Sequence, residues 1–429
     1  MLEKLFHIRA QGSSVRTEIL AGFTTFLTMS AILFVNPDIL AAAGMDHGAV
    51  FVATCLAGAI GCLLMGLLAN YPIGQGPGMG INAFFAFGLV KGMGLPWETA
   101  LGAVFLSGIL FILVSLFKVR EWFVNAIPAC LKHSISAGVG LFISLIALQQ
   151  AGIVVASPDT MLALGPLGTP SVLLAAFGFL LMVVLDRRGV PGAIIIGILT
   201  VTAISVALGY TPYGGIVSAP PSLAPTFLKA DILAALHPAV LGVVLSFFLM
   251  SLFETSGTLI AIAERGNFLD KDGHLPRLKR ALLADSTAIS AGALLGTSST
   301  TSYIESTTGI AAGGRTGLAA VVIAGLFIAA LVFAPLAAMV PGYATAPALL
   351  YVAILMLRSL THLEWDELTE TAPAIACITT MAFTFSIADG IAFGAITYVI
   401  TKLATGQGKQ LSLPIVVIAG LFIARYLFL

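Results

Sequence analysis

Apolar residues run through this chain in blocks long enough to cross a bilayer, separated by short polar stretches. A helix needs about 20 apolar residues to traverse the hydrocarbon core. Blocks of that kind begin near Ile19, Ala49, Trp97, Ala126, Ser171, Pro191, Pro238, Arg280, Thr316, Ala344, Thr371 and Gly390. Two further stretches are too short and too glycine-rich to cross as plain helices. One is Gly74 to Val90, reading GQGPGMGINAFFAFGLV, and the other is Thr297 to Gly314, reading TSSTTSYIESTTGIAAGG. With both counted, the pattern predicts fourteen crossings. A last apolar segment, Leu411 to Leu429, carries Pro414 and Arg425 and either spans or lies at the interface. No cleavage pattern follows the polar, basic residues 1–18, so the first block is expected to be retained as a span.

The distribution of charge supports the count. With a cytoplasmic N-terminus and both short segments crossing, the inner side receives Lys4, Arg9, Arg16, Lys118, Arg120, Arg187, Arg188, Arg265, Lys271, Arg277, Lys279, Arg280, Arg315, Arg358, Lys402 and Lys409. The outer side receives only Lys91 and Lys229. This is a strong positive-inside bias, and dropping one short segment reverses the loops between the two. Seven crossings precede residues 211–235 and seven follow, so the halves are inverted relative to each other. Interrupted segments at matching positions of two inverted halves mark a transporter site, because irregular backbone at membrane depth is tolerated only against protein or a wet cavity.

Composition narrows the class. Of 429 residues, 59% are hydrophobic and 9% charged, with zero net charge and a mean hydropathy of +1.05. Soluble domains carry about 25% charged residues, so the solvent here is lipid. There is no basic footprint for nucleic acid. Cys55, Cys62, Cys130 and Cys377 have neither disulfide-framework nor metal-ligand spacing, and the six histidines pair with no carboxylate or thiol at ligand spacing, so neither metal nor cofactor is expected. The glycine strings GQGPGMG and GGRTG lack a GK[ST] ending and a βαβ context, which excludes an ATP cradle. No nucleophile–base pair suggests an enzyme.

Ionisable residues inside apolar segments are functional candidates by default, because each costs at least about 2.5–3.5 kcal/mol at bilayer depth. Glu254 sits mid-span in SLFETSGTL, Glu305 in SYIES of the second short segment beside Ile304, and Asp285 in the first turns of the span near Arg280. Asp389, in SIADG, is read as ending or capping a helix. Asn82, in GINAFFAF, is the first segment's counterpart of Glu305 and offers donors and an acceptor. Phe84, Phe85 and Phe87 follow it; singly each is a packing residue, but beside interrupted backbone one of them can stack on a flat ligand. Thr24, Thr25 and Thr28 form a polar stripe that either lines the same cavity or bonds back to the preceding turn.

EILAGFTTFLTMSAILFVNP, GPGMGINAFFAF, LLADS, LLGTSSTTSYIESTTGIAAGGRTGL and SIADGIAFG together resemble the azaguanine-like purine permeases of the nucleobase:cation symporter-2 (xanthine/uracil permease-like) family, over about Arg16 to Gly406. The resemblance implies an all-α polytopic fold of fourteen crossings in a seven-plus-seven inverted repeat, with crossings 3 and 10 as short strands followed by half-helices. It implies a core domain over 19–117 and 236–340 (crossings 1–4 and 8–11) and a gate domain over 118–210 and 341–406 (crossings 5–7 and 12–14). Residues 1–18 are then a cytoplasmic N-terminus, 211–235 an external loop and 407–429 a C-terminal hydrophobic segment. It assigns substrate contact to Glu254, Glu305 and Asn82. Two positions depart from the pattern: Glu254 stands where this branch usually has Asp, and Thr258 stands where uracil-type relatives carry a coupling histidine.

The expected function is import of a purine base, guanine, hypoxanthine or adenine, with H⁺ or Na⁺ and by alternating access in the cell membrane. The expected substrate site is Glu254, Glu305, Asn82, Phe84, Phe85, Ile304 and Thr28, and the expected coupling groups are Asp285, Glu254 and Glu305. Proteins of this fold often pair through their gate domains, so a homodimer is an expected assembly. The nearest rival is an anion exchanger on the same fold, which two carboxylates would disfavour by repulsion.

Overall fold

Capping residues set where the helices begin. Ser14 accepts from Thr17 N (3.1 Å), Asp46 from Ala49 N (2.7 Å) and Ser386 from Asp389 N (3.2 Å), each satisfying an N–H that the first helical turn leaves free. The computed structural model describes residues 2–116, 128–158, 160–270, 275–384 and 386–428. The expected span start at Ala126, the core–gate boundary at 117–118, and the charges Lys118, Arg120 and Lys271 lie outside the described residues.

The first half contains α1 (Leu2–Phe6), α2 (Val15–Met29), α3 (Ile32–Ala41), α4 (His47–Leu64), β1 (Gln75–Pro77), α5 (Met79–Ala83) and α6 (Trp97–Leu116). After these come α7 (Ala129–Gln150), β2 (Val154–Ser157), β3 (Met161–Leu164), α8 (Pro170–Arg187) and α9 (Ala193–Ala207). The second half contains α10 (Ile232–Ala235), α11 (Pro238–Gly266), α12 (Leu278–Leu295), β4 (Thr300–Ser302), α13 (Ser306–Ala311), α14 (Gly317–Ala330) and α15 (Ala334–Met339). It ends with α16 (Gly342–Leu357), α17 (Leu368–Thr384), α18 (Ile387–Ala404) and α19 (Leu413–Phe428).

Among the described residues, nine helical stretches are long and apolar enough to cross a membrane. They include Val15–Ala41, which joins α2 and α3, and Gly317–Met339, which joins α14 and α15. The other expected crossings fall on shorter or more polar elements: the two glycine-rich segments, α9, α12 and α17. The break between α2 and α3 precedes Pro37, whose ring removes a helical hydrogen bond. The last apolar segment is helical as α19, with Ile415, Ile418, Ala419 and Phe422 buried at helical spacing.

The glycine-rich segments meet in the interior. β1 pairs antiparallel with β4, placing Gln75 opposite Ser302 and Pro77 opposite Thr300. Gly78 N to Ser299 O (2.9 Å) and Tyr303 N to Gly74 O (3.0 Å) extend the ladder at both ends. Each strand leads into a short helix, α5 or α13, and α5 continues as wider π-helical turns over Phe84–Gly92. A second ribbon, β2 against β3, lies between α7 and α8, where the sequence reading assigned no element. Its strands of four residues each are too short to show a period beside the longer apolar runs, and Met161 takes a positive φ at the turn.

Around the strand pair, α4 packs against α3, α12 and α14, and α12 packs against α6. Elsewhere α7 packs against α16 and α17, and α17 against α18. Buried Glu18 accepts from Arg315 N (2.8 Å) and Thr316 N (3.2 Å) at the start of α14. Lys402, treated above as a loop charge, is buried in the last turn of α18, where it pairs with Glu370 (2.7 Å) and donates to Thr369 (2.9 Å) and Gln407 (2.7 Å).

The close approach of α14 to the turn after α4 depends on glycine. A Cβ on Gly317 would lie 2.0 Å from Gly66 O, whereas one on Gly325 meets nothing within 4 Å. Overpacking of this kind costs about 1–3 kcal/mol. Gly317→Leu is therefore expected to lower the thermal unfolding midpoint of the purified protein by several degrees, and Gly325→Ala to leave it unchanged. Equal midpoints for the two variants would show that the Gly66–Gly317 contact does not limit stability.

Candidate functional site

The paired strands bring polar side chains from four segments to one place. Asp285, on α12, is fully buried and accepts three side-chain hydrogen bonds. Gln75 Nε2 (2.9 Å) and Ser302 Oγ (2.7 Å) donate to Oδ1, and Thr255 Oγ1 (2.5 Å) donates to Oδ2. These donors come from β1, β4 and α11, so one carboxylate ties both halves of the chain together. A buried charge needs such donors, because its lost hydration is otherwise uncompensated.

Glu254 precedes Thr255 on α11, and its side chain reaches the start of α5. A Cβ on Gly78 would lie 3.3 and 3.4 Å from the two Glu254 carboxylate oxygens and 3.1 Å from Thr301 Oγ1. Glu254 is half-buried and within electrostatic range of Asp285 and Glu305. Glu305 is half-buried at the residue that opens α13, and its backbone carbonyl accepts from Thr308 Oγ1 (2.7 Å). Ile304 beside it is 37% exposed, a partly open position next to an otherwise packed strand pair.

Asn82 lies on α5, fully buried. Its Oδ1 accepts from Ser298 Oγ, in the run before β4, while its Nδ2 has no hydrogen-bond partner among the described residues. Ser256 Oγ, Thr300 Oγ1, Thr301 Oγ1 and Gln75 Oε1 are likewise buried without a partner. Such groups are rare in folded proteins, and their concentration on β1, β4 and the adjoining helices sets this region apart.

Thr28 bonds back to the preceding turn, one of the two readings left open for it. Its hydroxyl bonds back to Thr25 O (2.8 Å) and also contacts Thr308 Oγ1 (3.1 Å) on α13. Thr24 bonds back to Leu20 O (2.8 Å). Phe84 and Phe85 are fully buried, and the Phe84 ring packs edge-on against Phe247 with centroids 5.2 Å apart. Phe87 is the partly exposed member of the trio. Asp389 stands in the first turn of α18 and accepts from Tyr426 Oη (2.6 Å) on α19, away from the strand pair.

Sequence reasoning missed Gln75, Thr255, Ser298 and Ser302. Gln75 was visible as the lone amide in GQGPG, and the two serines lay in the run TSSTTS. Nothing in either motif says which hydroxyl would face the carboxylate, because register between two segments over 200 residues apart is a tertiary property.

Comparison with known proteins identifies the family of the chain. Residues 16–393 match the Permease family that groups the xanthine and uracil permeases. The chain is 46% identical over 429 residues to Adenine permease AdeP of Escherichia coli (strain K12), covering 100% of this chain and 96% of that protein. It is 44% identical over 442 residues to Guanine/hypoxanthine permease PbuG of Bacillus subtilis (strain 168), covering 100% and 99%. Among solved structures, SLC26A9 superposes with a TM-score of 0.69 at 12% identity, over 94% of this chain and 68% of that one, which shows a shared fold. The match over most of its length, the full-length relatives and the helical architecture place this integral membrane protein in the nucleobase:cation symporter-2 family, as a permease and not an enzyme.

Proposed function

We propose that this permease imports purine nucleobases by proton symport, binding the base between α5 and α13 and alternating access by moving a core domain against a gate domain. The observation that carries the reading is the convergence of Glu254, Glu305 and Asn82 on the paired strands. The names of its relatives, an adenine permease and a guanine/hypoxanthine permease, support the substrate class.

Purine bases are flat, neutral and rich in edge hydrogen bonds. A carboxylate accepts two parallel N–H bonds and so matches the N1–H and exocyclic amine of guanine, or N1–H of hypoxanthine. Adenine presents an acceptor at N1 and requires a protonated acid or another edge. Asn82 Nδ2, a buried donor with no partner among the described residues, can serve a ring nitrogen or carbonyl of the base. In this reading Ile304 and Thr28 border the base. Phe84 and Phe85 support α5 from within the packed interior and reach the base only if that interior rearranges.

Asp285 with Glu254 and Glu305 forms the coupling set. Several carboxylates in a low-dielectric site repel one another, and a proton taken up by the set relieves that repulsion while a neutral base binds. In this reading 19–117 with 236–340 form the core and 118–210 with 341–406 the gate, across fourteen crossings with the N-terminus cytoplasmic. The separate packing of α4, α6, α12 and α14 and of α7, α16, α17 and α18 supports it. Two copies pairing through the gate helices complete the proposed assembly.

Uptake of radiolabelled guanine, hypoxanthine, adenine and uracil into cells expressing the chain tests the reading. Saturable purine uptake is expected, reduced at least about tenfold by Glu305→Gln, the loss that follows from removing a charged hydrogen-bond partner. No uptake of any base, with the protein present in the membrane, would favour anion carriage and remove Glu254 and Glu305 as substrate ligands. Asn82→Ala is expected to raise KM about tenfold at similar expression; an unchanged KM would take Asn82 out of the site. Proton symport also fixes a sign: at constant internal pH, uptake rises as the medium is acidified and collapses with a protonophore. Uptake that instead follows external Na⁺ and ignores the protonophore would make Na⁺ the coupling ion.

A further inference from the structure

The three donors on Asp285 are not equivalent. Ser302 and Thr255 present hydroxyls, which rotate to donate or accept. Gln75 presents its amide nitrogen, which only donates. Gln75 Nε2 serves Oδ1 and also lies 3.3 Å from Ser302 Oγ, while the other end of its amide, Oε1, is buried with no partner among the described residues. Leaving an acceptor unpaired in the interior is costly. The amide is therefore held in place by what its nitrogen binds, not by what its oxygen gains.

The rest of Gln75 is immobilised as well. Its N–H donates to Cys62 Sγ (3.1 Å), and its carbonyl accepts from the same thiol (3.4 Å). A Cβ on Gly61 would lie 2.7 Å from Oε1, so α4 makes room for the amide only through that glycine. The titratable groups around the pair are Glu254 on α11, Glu305 and Tyr303 beside β4, and Cys62 on α4.

We propose that Gln75 is a positioning residue that keeps Oδ1 of Asp285 an acceptor, so that a proton carried by Asp285 resides on Oδ2, facing Thr255 and the Glu254 side of the site. This rests on the reading of Asp285 as a coupling group. The bonds balance in both states. Ionised, Asp285 accepts from Gln75, Ser302 and Thr255. Protonated on Oδ2, it keeps the two donors on Oδ1 and donates to Thr255 Oγ1, whose hydroxyl turns away to another acceptor. The change is thereby confined to α11, one residue from Glu254, while β1 stays fixed and continues to present Gly78 and Asn82. Without Gln75, Oδ1 competes for the proton and the link to α11 is lost.

The test compares two activities of the full chain in proteoliposomes: purine accumulation driven by an inward proton gradient, and purine counterflow without a gradient. Gln75→Met removes the donor at similar volume, and Gln75→Glu adds a competing oxygen while keeping length and polarity. Each is expected to lower the ratio of accumulation to counterflow about tenfold or more. Thr255→Val, which removes the partner on Oδ2, is expected to lower the same ratio. A purely structural role would lower both activities together and leave the ratio unchanged, and that result in whichever Gln75 variant is folded overturns the proposal. Asp285→Asn separates the two levels. If it retains gradient-driven accumulation, the coupling role of Asp285 itself fails. If it loses accumulation while both Gln75 variants keep the parental ratio, only the inference about Gln75 fails.

Discussion

Backbone N–H and C=O groups at membrane depth have no water to bond, and the site described here exists because two helices are interrupted there. Unpaired groups would cost several kcal/mol each in hydrocarbon. The chain meets this constraint by pairing one interruption with the other. β1 and β4 exchange their ladder bonds, and the bonds from Gly78 and Tyr303 continue the pairing to the first turns of α5 and α13. An antiparallel pair between segments from opposite halves also fixes their register, and with it the distance between Asn82 on one side and Glu305 on the other. Neither segment could be stable alone, so the site and the union of the two halves are one structural fact.

The same arrangement makes buried charge tolerable. Asp285 has no neighbouring cation among the described residues that pairs with it, and its carboxyl group is met by three neutral donors instead. Elsewhere the chain handles ionised groups differently. Glu18 is spent on the backbone N–H groups that open α14, and Lys402 is paired with Glu370 and two further oxygens. Those two sites join helices and have every partner they need. The strand-pair region keeps buried polar atoms on Gln75, Asn82, Ser256, Thr300 and Thr301 that have no partner among the described residues.

Much of this was legible in the sequence because the signals are large. Long apolar runs marked the spanning helices, with Trp97 and Pro238 as helix starts, and the glycine-rich stretches marked the two interruptions. Glu254, Glu305, Asp285 and Asn82 stood out because polar groups in apolar surroundings are few. Other features were hidden for physical reasons. A four-residue strand such as β2 leaves no periodicity strong enough to detect beside a 22-residue helix. Lys402 looked like a solvated charge because its partners Glu370 and Gln407 approach it only when α17 and α18 pack. Gln75 was one amide among glycines, and its importance lies in a contact with Asp285, 210 residues away.

Glu254 shows how such contacts change the meaning of a substitution. As a departure from the Asp that the family resemblance implies, it carries its carboxylate on a side chain longer by one methylene, about one C–C bond of 1.5 Å. The structure gives the extra length a destination. The carboxylate oxygens reach the neighbourhood of Gly78, at a distance where an added Cβ would already be in tight contact. Gly78 is also the residue whose N–H closes the strand ladder and whose carbonyl accepts the first bond of α5, from Asn82 N (2.9 Å). A longer acid on α11 and a residue without a side chain at the head of α5 are therefore complementary. The acid approaches the start of the half-helix because nothing projects from it, and one turn further on the same half-helix presents Asn82.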